Sequence, residues 1–205
     1  MQKSQMIFSK YSPLMAVDTP LIGSDGETMT TPRVCSLCRC GASSAKPYCD
    51  GTHSQIGFVG ERDDSAKTEL EYYRGRDITI VYDRYLCMGA GHCGKLEAVF
   101  GTHDAPQYEP DAAPVDEIIA TIKKCPSGAL SYLIQDQHRT HYYGTPRIVV
   151  EQDGPLHCHG AITLIDDQDS DQLLPKGDHF TLCRCGGSKK KPLCDGSHAS
   201  LGFKG

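Results

Sequence analysis

The sequence contains no tryptophan, no basic surplus, and no apolar run near the roughly 18 residues that a membrane-spanning helix needs. Its formal net charge is −5. Proteins that grip nucleic acid ordinarily show a basic patch or stripe, so nucleic acid is not an expected partner. The local exception, Lys189-Lys190-Lys191, reads as a solvated loop. The opening MQKSQMIFSKYSPLM lacks the apolar core of a signal peptide, so neither a secreted nor a membrane-bound protein is expected. Also absent are paired carboxylates, a Ser-His-Asp order and a phosphate-binding loop. Gly89, Gly91 and Gly94 lack the strand–helix context of a dinucleotide fingerprint. No catalytic residue stands out, and a carrier rather than an enzyme is the expectation.

Loop-forming residues and cysteine are what the chain has in plenty. Glycine (21) and proline (12) favour loops and short strands over long helices. A chain of 205 residues suits one or two ordinary domains, or three small ones that lean on bound metal. Below about 70–80 residues a thin core usually needs a disulfide or metal staple. There are 11 cysteines, an odd number, and all but Cys35 and Cys158 occupy motif positions. Thiolates reserved for metal in a reducing cytoplasm fit this better than a disulfide framework.

The cysteines are organised by an internal repeat. CRCGGSKKKPLCDGSH places Cys183, Cys185, Cys194 and His198 in the spacing C-x-C-x8-C-x3-H. CRCGASSAKPYCDGTH repeats it with Cys38, Cys40, Cys49 and His53, each 145 residues earlier. Arg39/Arg184, Ser43/Ser188 and Pro47/Pro192 recur at the same offset. Three thiolates and an imidazole select zinc, Cu(I) or an iron–sulfur core. Structural zinc loops more often use C-x2–4-C, whereas adjacent C-x-C thiolates can share one iron of a [2Fe–2S] core.

Both loops resemble the CDGSH iron–sulfur motif of mitoNEET-type proteins, with Thr52 standing where the second copy has Ser197. The resemblance implies a [2Fe–2S] cluster on Cys38, Cys40, Cys49 and His53, and another on Cys183, Cys185, Cys194 and His198. It also implies a small β-rich unit that pairs with a second copy. With both copies on one chain, an intramolecular pseudo-dimer is expected. A zinc-stapled interaction module is the plain alternative.

Between the repeats, Cys87, Cys93 and Cys125 follow C-x2-A-x2-C-x31-C-P. This segment, with CPSGAL at 125–130, resembles the divergent mono-cluster ferredoxin domain, with Ala90 at the second ligand position. Three cysteines leave one corner of a cubane without a protein ligand. The expectation is a [3Fe–4S] cluster on Cys87, Cys93 and Cys125, with a [4Fe–4S] cluster carrying a labile iron, bound by water or His92, as runner-up.

The expected fold class is α+β. Two small β-rich units, residues 1–64 and 141–205, enclose a ferredoxin-like βααβ unit, residues 65–140. Strands are expected at 77–82, 129–134, 147–151 and 161–165, and helices at 94–100 and 115–124. In the second helix Val115, Ile118, Ile119 and Ile122 share a face, with Asp116 and Glu117 in the first turn and Lys123 and Lys124 in the last. Residues 60–69 and 135–146 read as polar linkers. Cys35 is set aside as a ligand because its repeat counterpart is Phe180. His157-Cys158-His159 is set aside because a strand would turn the histidines away from the cysteine, and their counterparts are Met15, Ala16 and Val17.

One-electron transfer through three clusters is the leading functional expectation. The partner would be a reductase or oxidase with a basic docking patch. The alternative is cluster delivery to an apo-protein, or redox and pH sensing, since protonated imidazole cannot ligate.

Overall fold

The computed structural model describes residues 3–61, 69–102, 104–166, 175 and 177–205. In β1 (Gln5–Phe8), Met6 and Phe8 are buried while Gln5 and Ile7 are half-buried, the two-residue period of a strand with one face in the core. β2 (Leu14–Val17), β3 (Leu21–Ile22), β4 (Thr28–Met29), β5 (Val34–Leu37) and a one-turn helix α1 (Thr52–Gln55) complete the first unit. A turn at Asp25-Gly26 joins β3 to β4, with Gly26 at φ 85°.

The central unit consists of β6 (Leu70–Arg74), β7 (Thr79–Asp83), α2 (Glu97–Phe100), α3 (Val115–Ile122), β8 (Leu130–Ile134) and β9 (Gln137–Arg139). Its sheet has the antiparallel order β6-β7-β8-β9. The strand–helix–helix–strand series read from the sequence is thus extended by one strand at each end. β9 falls in residues expected to be a linker, whose exposed side chains carry no burial signal. The helix expected at 94–100 divides into a 3-10 turn at Cys93–Lys95 and α2. α3 ends at Ile122, short of both lysines, because Lys124 N–H bonds Thr121 O (3.0 Å) and Cys125 N–H bonds Ile122 O (2.9 Å), tightening the last turn. Ile78, Ile80, Val99, Phe100, Ile118, Ile122, Leu130 and Tyr132 form this unit's own core. Most of the linker expected at 60–69 lies outside the described residues.

The last unit repeats the first with β10 (Arg147–Val150), β11 (Leu156–His159), β12 (Thr163–Asp166), β13 (His179–Leu182) and α4 (Ser197–Ser200). β2 pairs β5 with Leu14 opposite Leu37 and Ala16 opposite Cys35. β11 pairs β13 with Leu156 opposite Leu182 and Cys158 opposite Phe180, the same register in the second copy. Cys35 and Cys158 are therefore buried strand residues, and His157 and His159 point away from Cys158 as expected.

The two copies trade strands. β12 of the second copy runs parallel to β1 of the first, Met6 opposite Leu164. Conversely, β3 of the first copy runs parallel to β10 of the second, Leu21 opposite Ile148. Neither four-stranded order β12-β1-β2-β5 nor five-stranded order β13-β11-β10-β3-β4 is complete without the other copy. Met6, Leu14 and Leu37 share one core with Ile148, Leu156 and Leu182, joined by Tyr85, Leu86 and Ala129 of the central unit.

Candidate metal centres

Each CxC segment leaves its last strand and is pinned back onto it. Cys38 N–H bonds Pro47 O (2.8 Å) and Cys49 N–H bonds Ser36 O (2.9 Å); Cys183 and Cys194 repeat this with Pro192 O (2.9 Å) and Thr181 O (3.0 Å). The loop between is closed by a serine and an aspartate. Ser43 Oγ donates to Tyr48 O and Ser188 Oγ to Leu193 O, both 2.7 Å. Asp50 Oδ2 accepts from Ser44 N–H (2.8 Å) and Oδ1 from Thr52 N–H (3.0 Å); the Thr52 hydroxyl first, and then these two N–H groups, hold its carboxyl well below the usual range. Asp195 does the same with Lys189 and Ser197.

The arginine inside each CxC is buried, Arg39 at 3% and Arg184 at 2% exposure. Arg39 donates to Ser12 O (2.8 Å), Gly60 O (3.0 Å) and Ser9 O. Arg184 donates to Gly154 O (2.8 Å), Glu151 O (2.7 Å) and Gly205 O (2.8 Å). Each guanidinium thus ties the ligand loop to the preceding hairpin and to the segment that follows the histidine. The repeat marked these arginines, but only the structure shows what they hold.

The donor atoms come in pairs. Cys38 and Cys40 Sγ are 3.7 Å apart, as are Cys183 and Cys185 Sγ. Cys49 Sγ lies 3.2 Å from His53 Nδ1, and Cys194 Sγ 3.4 Å from His198 Nδ1. Two sulfurs on one tetrahedral metal with bonds of about 2.3 Å are about 3.8 Å apart, and a sulfur and a nitrogen about 3.5 Å. Every pair is therefore set to share one metal. Among the described residues, no group of three or more His, Cys, Asp or Glu side chains is placed to hold a single ion. Four donors split two and two suit a two-metal core.

Protonation points the same way. Burial raises the Cys40 thiol and pushes Cys194 up to about 12, whereas the bond from Cys183 lowers Cys185 to about 6. Without a cation Cys40 and Cys194 would stay neutral thiols, so binding metal through them releases protons. Gly51 and Gly196 N–H donate to Cys49 and Cys194 Sγ, each 3.4 Å, and Gly187 N–H to Cys185 Sγ, 3.4 Å. Such backbone donors stabilise negative sulfur. Burial alone raises Cys35 and Cys158, whereas neighbouring thiols also act on Cys40 and Cys194.

The ligand loops meet at the exchange. Cys40 and Cys185 form an antiparallel bridge. A side-chain carbon on Gly41 (φ +82°) would stand 2.5 Å from Cys185 O, and one on Gly186 (φ +78°) 2.5 Å from Cys40 O.

In the central unit, Cys87, Cys93 and Cys125 line one cavity of about 320 Å³, with Ala90 and His92 exposed at its mouth. Burial raises the Cys93 and Cys125 thiols, and in each case the neighbouring thiols add to it. Tyr82, also in the wall, is raised chiefly by burial and next by its bond to Cys87. Tyr82 had no sequence signal, since one tyrosine in a strand is unremarkable.

The lysine run is not simply solvated. Lys190 Nζ reaches from the second ligand loop to Arg84 O (3.3 Å) and Cys87 O (3.2 Å), over the ring of Tyr85. Lys191 Nζ donates to Ser188 O (2.6 Å) inside its own loop. The mismatch of Lys190 with Ala45 across the repeat was the available sign. Among the described residues no helix is long and apolar enough to cross a membrane.

Comparison with known proteins follows this division. Residues 13–54 and 153–199 match the family described as iron-binding zinc finger, CDGSH type. Residues 73–135 match the family described as divergent 4Fe-4S mono-cluster. The chain is 34% identical over 64 residues to the uncharacterized protein YjdI of Escherichia coli strain K12, covering 29% of this chain and 80% of that one. YjdI of Escherichia coli O157:H7 matches to the same extent. No solved structure matches.

Proposed function

Because this chain is an iron–sulfur protein, with two CDGSH-type iron-binding domains around a divergent 4Fe–4S mono-cluster domain, we propose that it carries single electrons between partner proteins. Each repeated loop holds a [2Fe–2S] cluster, one on Cys38, Cys40, Cys49 and His53, the other on Cys183, Cys185, Cys194 and His198. Cys87, Cys93 and Cys125 would hold a [3Fe–4S] cluster, or a [4Fe–4S] cluster with a labile fourth iron, since Ala90 stands at the second ligand position of the motif. The observation that carries this is the two-plus-two pairing of donors at 3.7 Å and 3.2–3.4 Å, with no triad placed for one ion among the described residues. It weighs against the zinc-stapled alternative.

The clusters would supply reversible one-electron chemistry, and the protein sets potential, spacing and partner choice. Imidazole in place of a fourth thiolate removes negative charge and raises the potential. Backbone N–H groups at Gly51, Gly187 and Gly196 act in the same direction. The net charge of −5 suits a weak, salt-sensitive encounter with a basic patch on a reductase or oxidase. The reciprocal strand exchange supports an intramolecular pseudo-dimer, and the chain acts as a carrier rather than a catalyst.

A second reading, cluster delivery to an apo-protein, draws on the half-buried His53 and Cys49 of the first loop, since Cys194 in the second is only 2% exposed. Iron and acid-labile sulfide counts on the purified protein test the assignment. Two [2Fe–2S] cores and one [3Fe–4S] core give about seven iron and eight sulfide per chain, and a retained fourth iron gives about eight and eight. A colourless zinc protein would overturn it. Incubation with an apo-ferredoxin separates the two roles, because transfer of intact cluster supports delivery and retention with fast reversible reduction supports electron transfer.

A further inference from the structure

The two CDGSH loops are alike in sequence, yet the central unit rests on one of them. A side-chain carbon on Gly196 (φ +87°) would lie 2.5 Å from Met88 O, within the Cys87–Cys93 loop; on Gly51 (φ +89°), its counterpart, it would meet nothing within 4 Å. Lys190 donates to the carbonyls of Arg84 and Cys87, whereas the matching residue of the first loop is Ala45. The match is secure in three dimensions, since Lys190 N–H bonds Ser188 Oγ (3.0 Å) as Ala45 N–H bonds Ser43 Oγ (3.1 Å).

Burial shows the same one-sidedness. Val34 begins β5 at 44% exposure, and its counterpart His179 begins β13 at 1%, with Gly128 of the central unit packed against the His179 carbonyl. The Glu151 carboxylate bonds His157 Nε2 (2.9 Å). The equivalent of Glu151 beside the first loop is Ser9, and both backbone carbonyls serve the CxC arginine.

We propose that Lys190 is a positioning residue that locks the Cys87–Cys93 loop onto the second CDGSH loop. The central site and the second CDGSH site then form one coupled pair. The first CDGSH site connects to that pair across the Cys40–Cys185 bridge and presents the free end of the series to an external protein. This rests on the iron–sulfur reading above. Lys190 suits the task chemically: an ammonium bridging two backbone carbonyls fixes distance without supplying a ligand or displacing one.

The test is electron paramagnetic resonance of the cluster-loaded, full-length protein during stepwise reduction with dithionite. His53→Cys and His198→Cys assign the two [2Fe–2S] signals to their loops. In the parent protein, changing the redox state of the central cluster should broaden the second-loop signal and raise its half-saturation power several-fold over that of the first-loop signal. Lys190→Ala, which installs the residue that the first loop already carries, should bring the two signals close together in saturation behaviour. Lys190→Arg should retain the difference. Equal responses of both loops in the parent protein, or a stronger first-loop response, overturn the order of sites. Full coupling in a fully loaded Lys190→Ala protein overturns the role of Lys190. Failure of the iron–sulfur reading itself would look different, as no iron, no sulfide and no signal in any variant. Loss of the central cluster from Lys190→Ala alone, with Lys190→Arg loaded and coupled, still places the lock at Lys190.

Discussion

Gly41→Ala tests whether the two ligand loops meet back to back. The residue has φ +82°, and the new methyl would stand 2.5 Å from Cys185 O. A left-handed backbone costs an L-residue about 1–2 kcal/mol. Overpacking a filled site typically adds about 1–3 kcal/mol. The expected loss is therefore about 2–5 kcal/mol, the sum of those two ranges. Gly51→Ala is the control, because φ is +89° and nothing lies within 4 Å, so only the conformational cost of about 1–2 kcal/mol applies. In a chain of this size 1 kcal/mol shifts the melting midpoint by about 2–4 °C. Thermal unfolding of the loaded proteins should show Gly51→Ala lower by about 2–8 °C and Gly41→Ala by about 4–20 °C. Gly186→Ala, with φ +78° and 2.5 Å to Cys40 O, should match Gly41→Ala. The double variant should lose less than the sum, since both methyls open the same junction. Equal shifts for Gly41→Ala and Gly51→Ala, or full additivity in the double variant, would refute the contact.

Three further outcomes are expected. His53→Cys and His198→Cys should each lower the potential of their own cluster and weaken its dependence on pH, read by redox titration at several pH values; unchanged potentials in both would remove the histidines from the ligand set. His159 is held neutral by burial, then by His157 and Arg147, with its pKa lowered to about 4 from 6.5. The unfolded chain takes up that proton first, so this contribution to stability is complete above pH 6.5 and is lost as pH falls towards 4. His159→Phe should flatten the urea-midpoint profile across that window, and parallel profiles would exclude the linkage. Finally, residues 65–140 should fold as an isolated fragment, while 1–64 alone should stay unfolded by circular dichroism unless 141–205 is supplied.

What the sequence displayed well was chemistry that repeats. The 145-residue offset picked out the repeated Cys and His positions, whose donor atoms the structure brings together in pairs, and set Cys35 aside through Phe180. The β-branched and apolar runs of β7, β8 and β10 located those strands to within about two residues, in keeping with the scatter of element ends. β6 and β9 were not legible, since no side chain in either strand is fully buried and neither carries an apolar alternation in its sequence. The exchange of β3 and β12 was hidden for another reason: β3 is only two residues long, and parallel pairing across more than 120 residues leaves no local trace. Lys190 was misread because charge composition describes solvation and not the carbonyls that a lysine can reach.

The shared core also changes what a domain means in this chain. The boundaries at 64/65 and 140/141 separate ligand sets, one for each proposed cluster, but only the central boundary pair encloses a core of its own. The outer units bury Met6, Leu14 and Leu37 against Ile148, Leu156 and Leu182, so they are two halves of one folding unit interrupted by another. A fully buried leucine contributes about 1.5–3 kcal/mol, and a half that loses its partner's strands exposes several such side chains at once. The ends of the central unit must therefore lie where the halves can still close. β1 and β10 sit inside their sheets beside the exchanged strands, and Tyr85, Leu86 and Ala129 reach from the central unit into the same core. The insertion is thus packed as part of the structure that joins the two halves, and that packing brings the Cys87–Cys93 loop against Gly196 while Gly51 stays open.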